Sequence, residues 1–163
     1  MKGLLIILTL LCSATSFAHI PNGYREIVVP GDGHCLYWSL SAKDFSSRQI
    51  GKHEHRIAAQ KIKRAIVKAL QSGRYDEEIN IVIALDDAKA KDKATYIQNI
   101  ASGKVWPGDL ELKVASDVLK MPITVYFSDT SVTYGEALTD YPKGRSIALR
   151  YAGKHYNYLR EKV

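Results

Sequence analysis

The chain is poor in thiols: Cys12 and Cys35 are the two cysteines among its 163 residues. The first eighteen residues read as a processing signal, residues 1–18. Lys2 gives the positive start, Leu4 to Leu11 the apolar run, and Ser16-Phe17-Ala18 the cleavage region. Cleavage there would start the mature chain at His19, over a domain spanning 19–163, and leave Cys35 as its sole thiol. An internal disulfide is then excluded, and Cys35 is either a spare buried cysteine or a reactive one. Lipidation at Cys12 is not expected, because Leu11 precedes it where such sites need a small residue. No apolar run approaches the roughly 20 residues that span a bilayer, so no permanent membrane anchor is expected.

Repeats, low-complexity tracts and a second domain are also lacking. A metal site is not expected either, because His19, His53 and His55 have no third ligand at matching spacing; they read as solvent-exposed histidines. The net charge of +6 and pI near 9.2 would attract acidic partners, but the basic residues are scattered. The densest group, Lys61, Lys63, Arg64 and Lys68, interleaves with Ile62, Ala65, Ile66 and Ala69. That is the pattern of a solvated amphipathic-helix face, and no nucleic-acid partner is expected.

The hydrophobic pattern supplies elements for one compact domain. Ile27-Val28-Val29 before Pro30-Gly31 predicts an extended lead-in, and the unbroken run after Cys35 predicts a helix that starts at or near that residue. Helical spacing covers 53–70, ending before Gly73, and resumes from Asp109 to Pro122 through Leu112, Ala115, Val118 and Leu119. Between them, 79–85 fits either helix or buried strand, and 89–101 favours helix. Strands are predicted at 123–127, 131–134, 146–151 and 155–159. Helices first and strands last imply an α+β domain with a small, mostly antiparallel sheet.

Cysteine chemistry needs thiolate, which a helix N-terminus or a cationic neighbour favours. Cys35 is expected to have both, and free N–H groups of the same turn could bind an oxyanion. Gly31 and Gly33 around Asp32 permit a tight turn, with Asp32 as a cap or a loop-fixing carboxylate. His155 is the candidate base. On a strand, Asn157 lies on its side about 7 Å along, near enough to hold Nδ1 and leave Nε2 facing the thiol.

Asp32-Gly33-His34-Cys35-Leu36-Tyr37 with Ser39-Leu40 resembles the Asp-Gly-Asn-Cys-Leu-Phe…Ala-Leu signature of ovarian-tumour (OTU) cysteine proteases. His155-Tyr156-Asn157 resembles their C-terminal His-Tyr-Asn element. Trp106-Pro107-Gly108 with Glu111-Leu112 and Ala115 resembles their Trp-Gly segment and helix, and Ile123-Thr124-Val125-Tyr126 their next strand. His34 stands where the family has Asn, and Pro107 where it has Gly.

The resemblance implies a papain-like OTU fold, its sheet packed between helices, and a monomeric cysteine isopeptidase acting on ubiquitin or ubiquitin-like conjugates without a cofactor. It implies Cys35 as nucleophile, His155 as base, Asn157 as its orienter and Asp32 as the loop aspartate. Gly33 and His34 would shape the oxyanion loop, and Trp106, Gly108 and Tyr156 the substrate cleft. The leader implies a secreted protein, and delivery into a eukaryotic host cell would reconcile export with such a substrate. Two alternatives are a secreted NlpC/P60-type peptidoglycan peptidase and an inactive ubiquitin-binding OTU module.

Overall fold

A computed structural model describes residues 20–85, 89–135 and 146–162. The expected leader, Cys12 and His19 lie outside the described residues. Among the described residues, five strands form one sheet in the order β1-β5-β4-β2-β3. They are β1 (Tyr24–Ile27), β2 (Ile123–Tyr126), β3 (Ser131–Tyr134), β4 (Ile147–Ala152) and β5 (His155–Glu161). β2 and β4 run parallel, and the remaining pairs are antiparallel. The α+β architecture follows the sequence pattern.

Burial follows position in the sheet. Central β4 buries Ile147, Ala148 and Leu149 in succession, the run of a strand covered on both faces, whereas β2 alternates with Ile123 and Val125 buried. The edge strands β1 and β3 have four residues each, which limits their unpaired backbone. Two left-handed residues, Gly153 (φ 58°) and Lys154 (φ 64°), connect Ala152 to its cross-strand partner His155. Two such residues in a two-residue loop match the twist of an antiparallel pair. The turn makes His155 the first residue of β5.

The helices are α1 (Cys35–Ser41), α2 (His53–Gln71), α3 (Asp76–Ala84), α4 (Lys93–Ser102) and α5 (Asp109–Leu119), with a short 3-10 turn at Ala42–Asp44. The ambiguous stretch at 79–85 is therefore helix up to Ala84, with Leu85 as its cap, and Asp76, Glu77 and Glu78 in the first turn complement the helix dipole. Asp92 starts α4 by accepting the Thr95 N–H at 2.7 Å, and Gly103 ends it in the left-handed region at φ 75°. α1 is buried along its whole length, against α2 on one side and β5 on the other. Ser39 fastens it by donating to the Tyr156 carbonyl at 3.0 Å.

One expectation fails here. His55 is fully buried rather than solvent-exposed. Its Nδ1 accepts the Gly51 N–H at 3.0 Å, its Nε2 meets the Trp38 carbonyl at 2.9 Å, and its ring packs on Trp38 and Phe45. Position in the first turn of α2 suggested solvent, but that turn faces α1. His53, two residues earlier, is exposed. No helix among the described residues is long and apolar enough to cross a membrane, and none of their side chains cluster as a metal site.

Candidate active site

Cys35 opens α1 and is fully buried. The loop before it is held by Asp32, whose carboxylate accepts the His34 main-chain N–H at 3.0 Å. Both carboxylate oxygens also face the Trp38 indole N–H, at 3.1 and 3.0 Å. Trp38 is one turn into α1, so Asp32 ties the loop to the helix that carries the thiol. Gly33 takes φ 80°, a conformation glycine adopts without a Cβ penalty. Asp32 thus has the loop-fixing role, and its recorded partners are His34 and Trp38.

The His34 side chain joins a second helix to this loop. Its Nδ1 meets the Asp32 carbonyl at 3.1 Å, which requires the proton on Nδ1, so Nε2 accepts from Lys63 Nζ at 3.0 Å. Because the His34 main-chain N–H is committed to Asp32, it is not free for an oxyanion. Cys35 and Leu36 contribute the first N–H groups of α1, which have no acceptor within the helix. Lys63, read as part of a solvated face, is instead half-buried between His34 and the Tyr37 ring, 5.8 Å from its centroid.

Helix start and final strand meet at the thiol. The main-chain N–H groups of Tyr156, Leu36 and Cys35 act to lower the Cys35 pKa, but desolvation outweighs them and pushes the thiol up, with the Asp32 charge adding to the rise. At this thiol burial outweighs the helix terminus. His155 precedes Tyr156, and a Cβ placed on Gly31 would lie 3.8 Å from its Cε1 and 3.9 Å from its Nδ1. The Nδ1 edge of the imidazole thus faces the loop leading to Cys35.

Asn157 does accept from the histidine, but through the other nitrogen: His155 Nε2 lies 3.0 Å from Asn157 Oδ1. This reverses the expected ring orientation. A neighbour two residues along the same strand face meets the distal nitrogen, leaving Nδ1 on the edge beside Gly31. Asn157 also accepts the Val29 N–H at 3.0 Å and donates to Glu26 Oε1 at 2.8 Å, and Glu26 pairs with Arg150. Sequence reading missed Glu26 and Arg150. Their only signal is strand pairing, which sets Arg150 opposite Asn157.

The expected cleft residues divide. Trp106 is half-exposed at the surface, while Gly108 caps α5, its N–H donating to Glu111 Oε2 at 2.8 Å. Glu111 is buried, and burial pushes its carboxyl up although the Tyr96 hydroxyl and Gly108 N–H donate to it. Tyr156 is buried, its ring 4.7 Å from that of Tyr151, so its side chain belongs to the core.

The sequence profile of the family described as OTU-like cysteine protease matches residues 30–161. An Arabidopsis thaliana protein, OVARIAN TUMOR DOMAIN-containing deubiquitinating enzyme 4, is 35% identical over 141 residues, covering 83% of this chain and 43% of its own length. The chain spans less than half the length of the curated relatives it matches. Among solved structures, the viral OTU domain protease from Taggert virus aligns with a TM-score of 0.62 at 23% identity, covering 85% of this chain and 80% of that one. The Hazara virus OTU bound to ubiquitin aligns at 0.56 and 19%, covering 86% and 82%. At these identities the structures speak for the fold. None of the relatives and structures named above is described as a peptidoglycan peptidase.

Proposed function

Since the chain belongs to the OTU-like cysteine protease family, we propose that it is a thiol-dependent deubiquitinating enzyme in which Cys35 is the nucleophile and His155 the general base. The observation that carries this is the convergence of Cys35, at the start of α1, with the His155–Asn157 segment of β5. Supporting it are the relatives named as deubiquitinating enzymes and the viral OTU relative bound to ubiquitin.

The buried thiol is protonated at rest, so attack begins with proton transfer to His155 Nδ1 as substrate binds. Sulfur then bonds the carbonyl carbon of an isopeptide linkage, and the N–H groups of Cys35 and Leu36 face the developing oxyanion. His155 returns the proton to the departing lysine amine, leaving an acyl-thioester on Cys35. Water, giving its proton to His155, attacks that thioester and releases a carboxylate and the free thiol. Asp32 keeps the loop in register through Trp38, and Asn157 holds the imidazole.

The proposal includes export directed by residues 1–18 and action inside a host cell as a monomer. Fractionation of infected cells that found the protein only in the producing cell would remove that part. The chemistry is tested with ubiquitin bearing a C-terminal electrophile. The wild-type protein should form a covalent adduct and Cys35→Ala should not, while a panel of ubiquitin chains reads linkage choice. Absence of an adduct with ubiquitin and its relatives would refute the isopeptidase reading.

A further inference from the structure

Behind the imidazole, side chains from three adjacent strands form one hydrogen-bonded series. Asn157 Oδ1 takes the Val29 N–H and meets His155 Nε2, each at 3.0 Å, while Asn157 Nδ2 donates to Glu26 Oε1 at 2.8 Å. The second Glu26 oxygen accepts from Arg150 Nη1 at 2.7 Å. The series crosses β1, β5 and β4, which are neighbours in the sheet. The Arg150 and Glu26 side chains are only 13% and 16% exposed, so water competes little for either.

Two members have fixed hydrogen-bonding roles. A main-chain N–H only donates, and a carboxylate paired with a guanidinium only accepts. The Asn157 amide can satisfy both in one orientation alone, oxygen toward Val29 and nitrogen toward Glu26. His155 Nε2 then faces an acceptor and must carry the ring proton. Nδ1, on the edge beside Gly31, keeps the lone pair that would receive the thiol proton.

We propose that the Glu26–Arg150 pair is a positioning device: it fixes the orientation of the Asn157 amide and thereby the tautomer in which His155 accepts a proton. Arg150 orients Glu26 through the second oxygen and supplies the opposite charge that lets the carboxylate stay between strands. A pair that merely stitched β1 to β4 would be indifferent to which way the amide pointed.

This inference rests on the Cys35–His155 reading, and its test separates the two. Asn157→Asp sets a second carboxylate against Glu26 where an N–H donor stood, and kcat should fall about a hundredfold with KM little changed. Adding Glu26→Gln returns a donor to that contact, reversed in direction, so the double variant should recover at least about tenfold over Asn157→Asp alone. A structural strut predicts the opposite order, with the double variant no better than the single. That order would overturn the proposal.

A second measurement needs no substrate and no change at Glu26. In Cys35→Ala protein labelled with ¹⁵N-histidine at mildly alkaline pH, the His155 ring should show a protonated Nε2 and an unprotonated Nδ1, with assignment by His155→Gln. An Nδ1-protonated ring would overturn the proposal. An Nε2-protonated ring in a protein that reacts with no ubiquitin probe would leave it standing while the deubiquitinase reading falls.

Discussion

The tie between Asp32 and Trp38 gives the sharpest quantitative expectation. Trp38→Phe keeps an aromatic ring against His55 but deletes the N–H that faces both carboxylate oxygens at 3.0 and 3.1 Å. Hydrogen bonds to a charged group contribute about 1.5–3 kcal/mol. The Asp32 side chain is 49% exposed, so water replaces part of the loss and about 1 kcal/mol remains. The smaller ring forfeits roughly 1 kcal/mol more in buried contacts. A total near 2 kcal/mol should lower Tm by about 4–8 °C for a domain of this size. Loosening the loop that carries Cys35 should also cut kcat about tenfold. The decisive assay is thermal unfolding of Trp38→Phe, Asp32→Asn and the double variant. Because the two groups act on each other, their separate costs should overlap by about 1 kcal/mol in the double variant. Strict additivity, or a Trp38→Phe protein as stable and active as the parent, would refute the claim that this bond holds the catalytic loop.

Two further predictions concern buried titratable groups. His55 is depressed below its ordinary value because burial disfavours its charged form. Its contribution is complete above the unfolded value near 6.5 and is lost as pH falls through the folded value. Thermal melts should therefore show stability declining below about pH 6.5 in the parent and a flatter profile in His55→Gln, which retains a donor and an acceptor; equal slopes would contradict this. Glu111 is raised by burial, so its contribution is complete below the unfolded value near 4.5 and is lost as pH rises through the folded value. Glu111→Gln should thus gain stability relative to the parent as pH increases from about 4.5, and a gap that stays constant with pH would contradict this.

Much of the fold was legible because hydrophobic spacing is a local signal. The run after Cys35, the repeats in α2 and α5, and the alternating strands all declare themselves within one element. The first half of the 76–102 stretch did not, since Ile79, Ile81, Val82 and Ile83 are apolar on too many sides to separate helix from buried strand. In the candidate site, the four-part motif singled out Cys35, His155, Asn157 and Asp32, whereas their mutual geometry required coordinates. Whether Asn157 meets Nε2 or Nδ1 depends on ring rotation, which no spacing encodes. The helix polarity at Cys35 is visible in sequence, but the burial that outweighs it is a sum over distant contacts. Glu26 and Arg150 escaped notice for the same reason: 124 positions separate them, and only the placement of β5 between β1 and β4 brings their strands into reach.

The placement of β5 between β1 and β4 also governs when the proposed site can assemble. During synthesis the thiol and its helix leave the ribosome before β5, and a gap stays open between β1 and β4 until that strand arrives. The same strand carries His155, so a nascent chain that lacks it holds Cys35 without its proposed base. Closure of the sheet and completion of the proposed site are a single event.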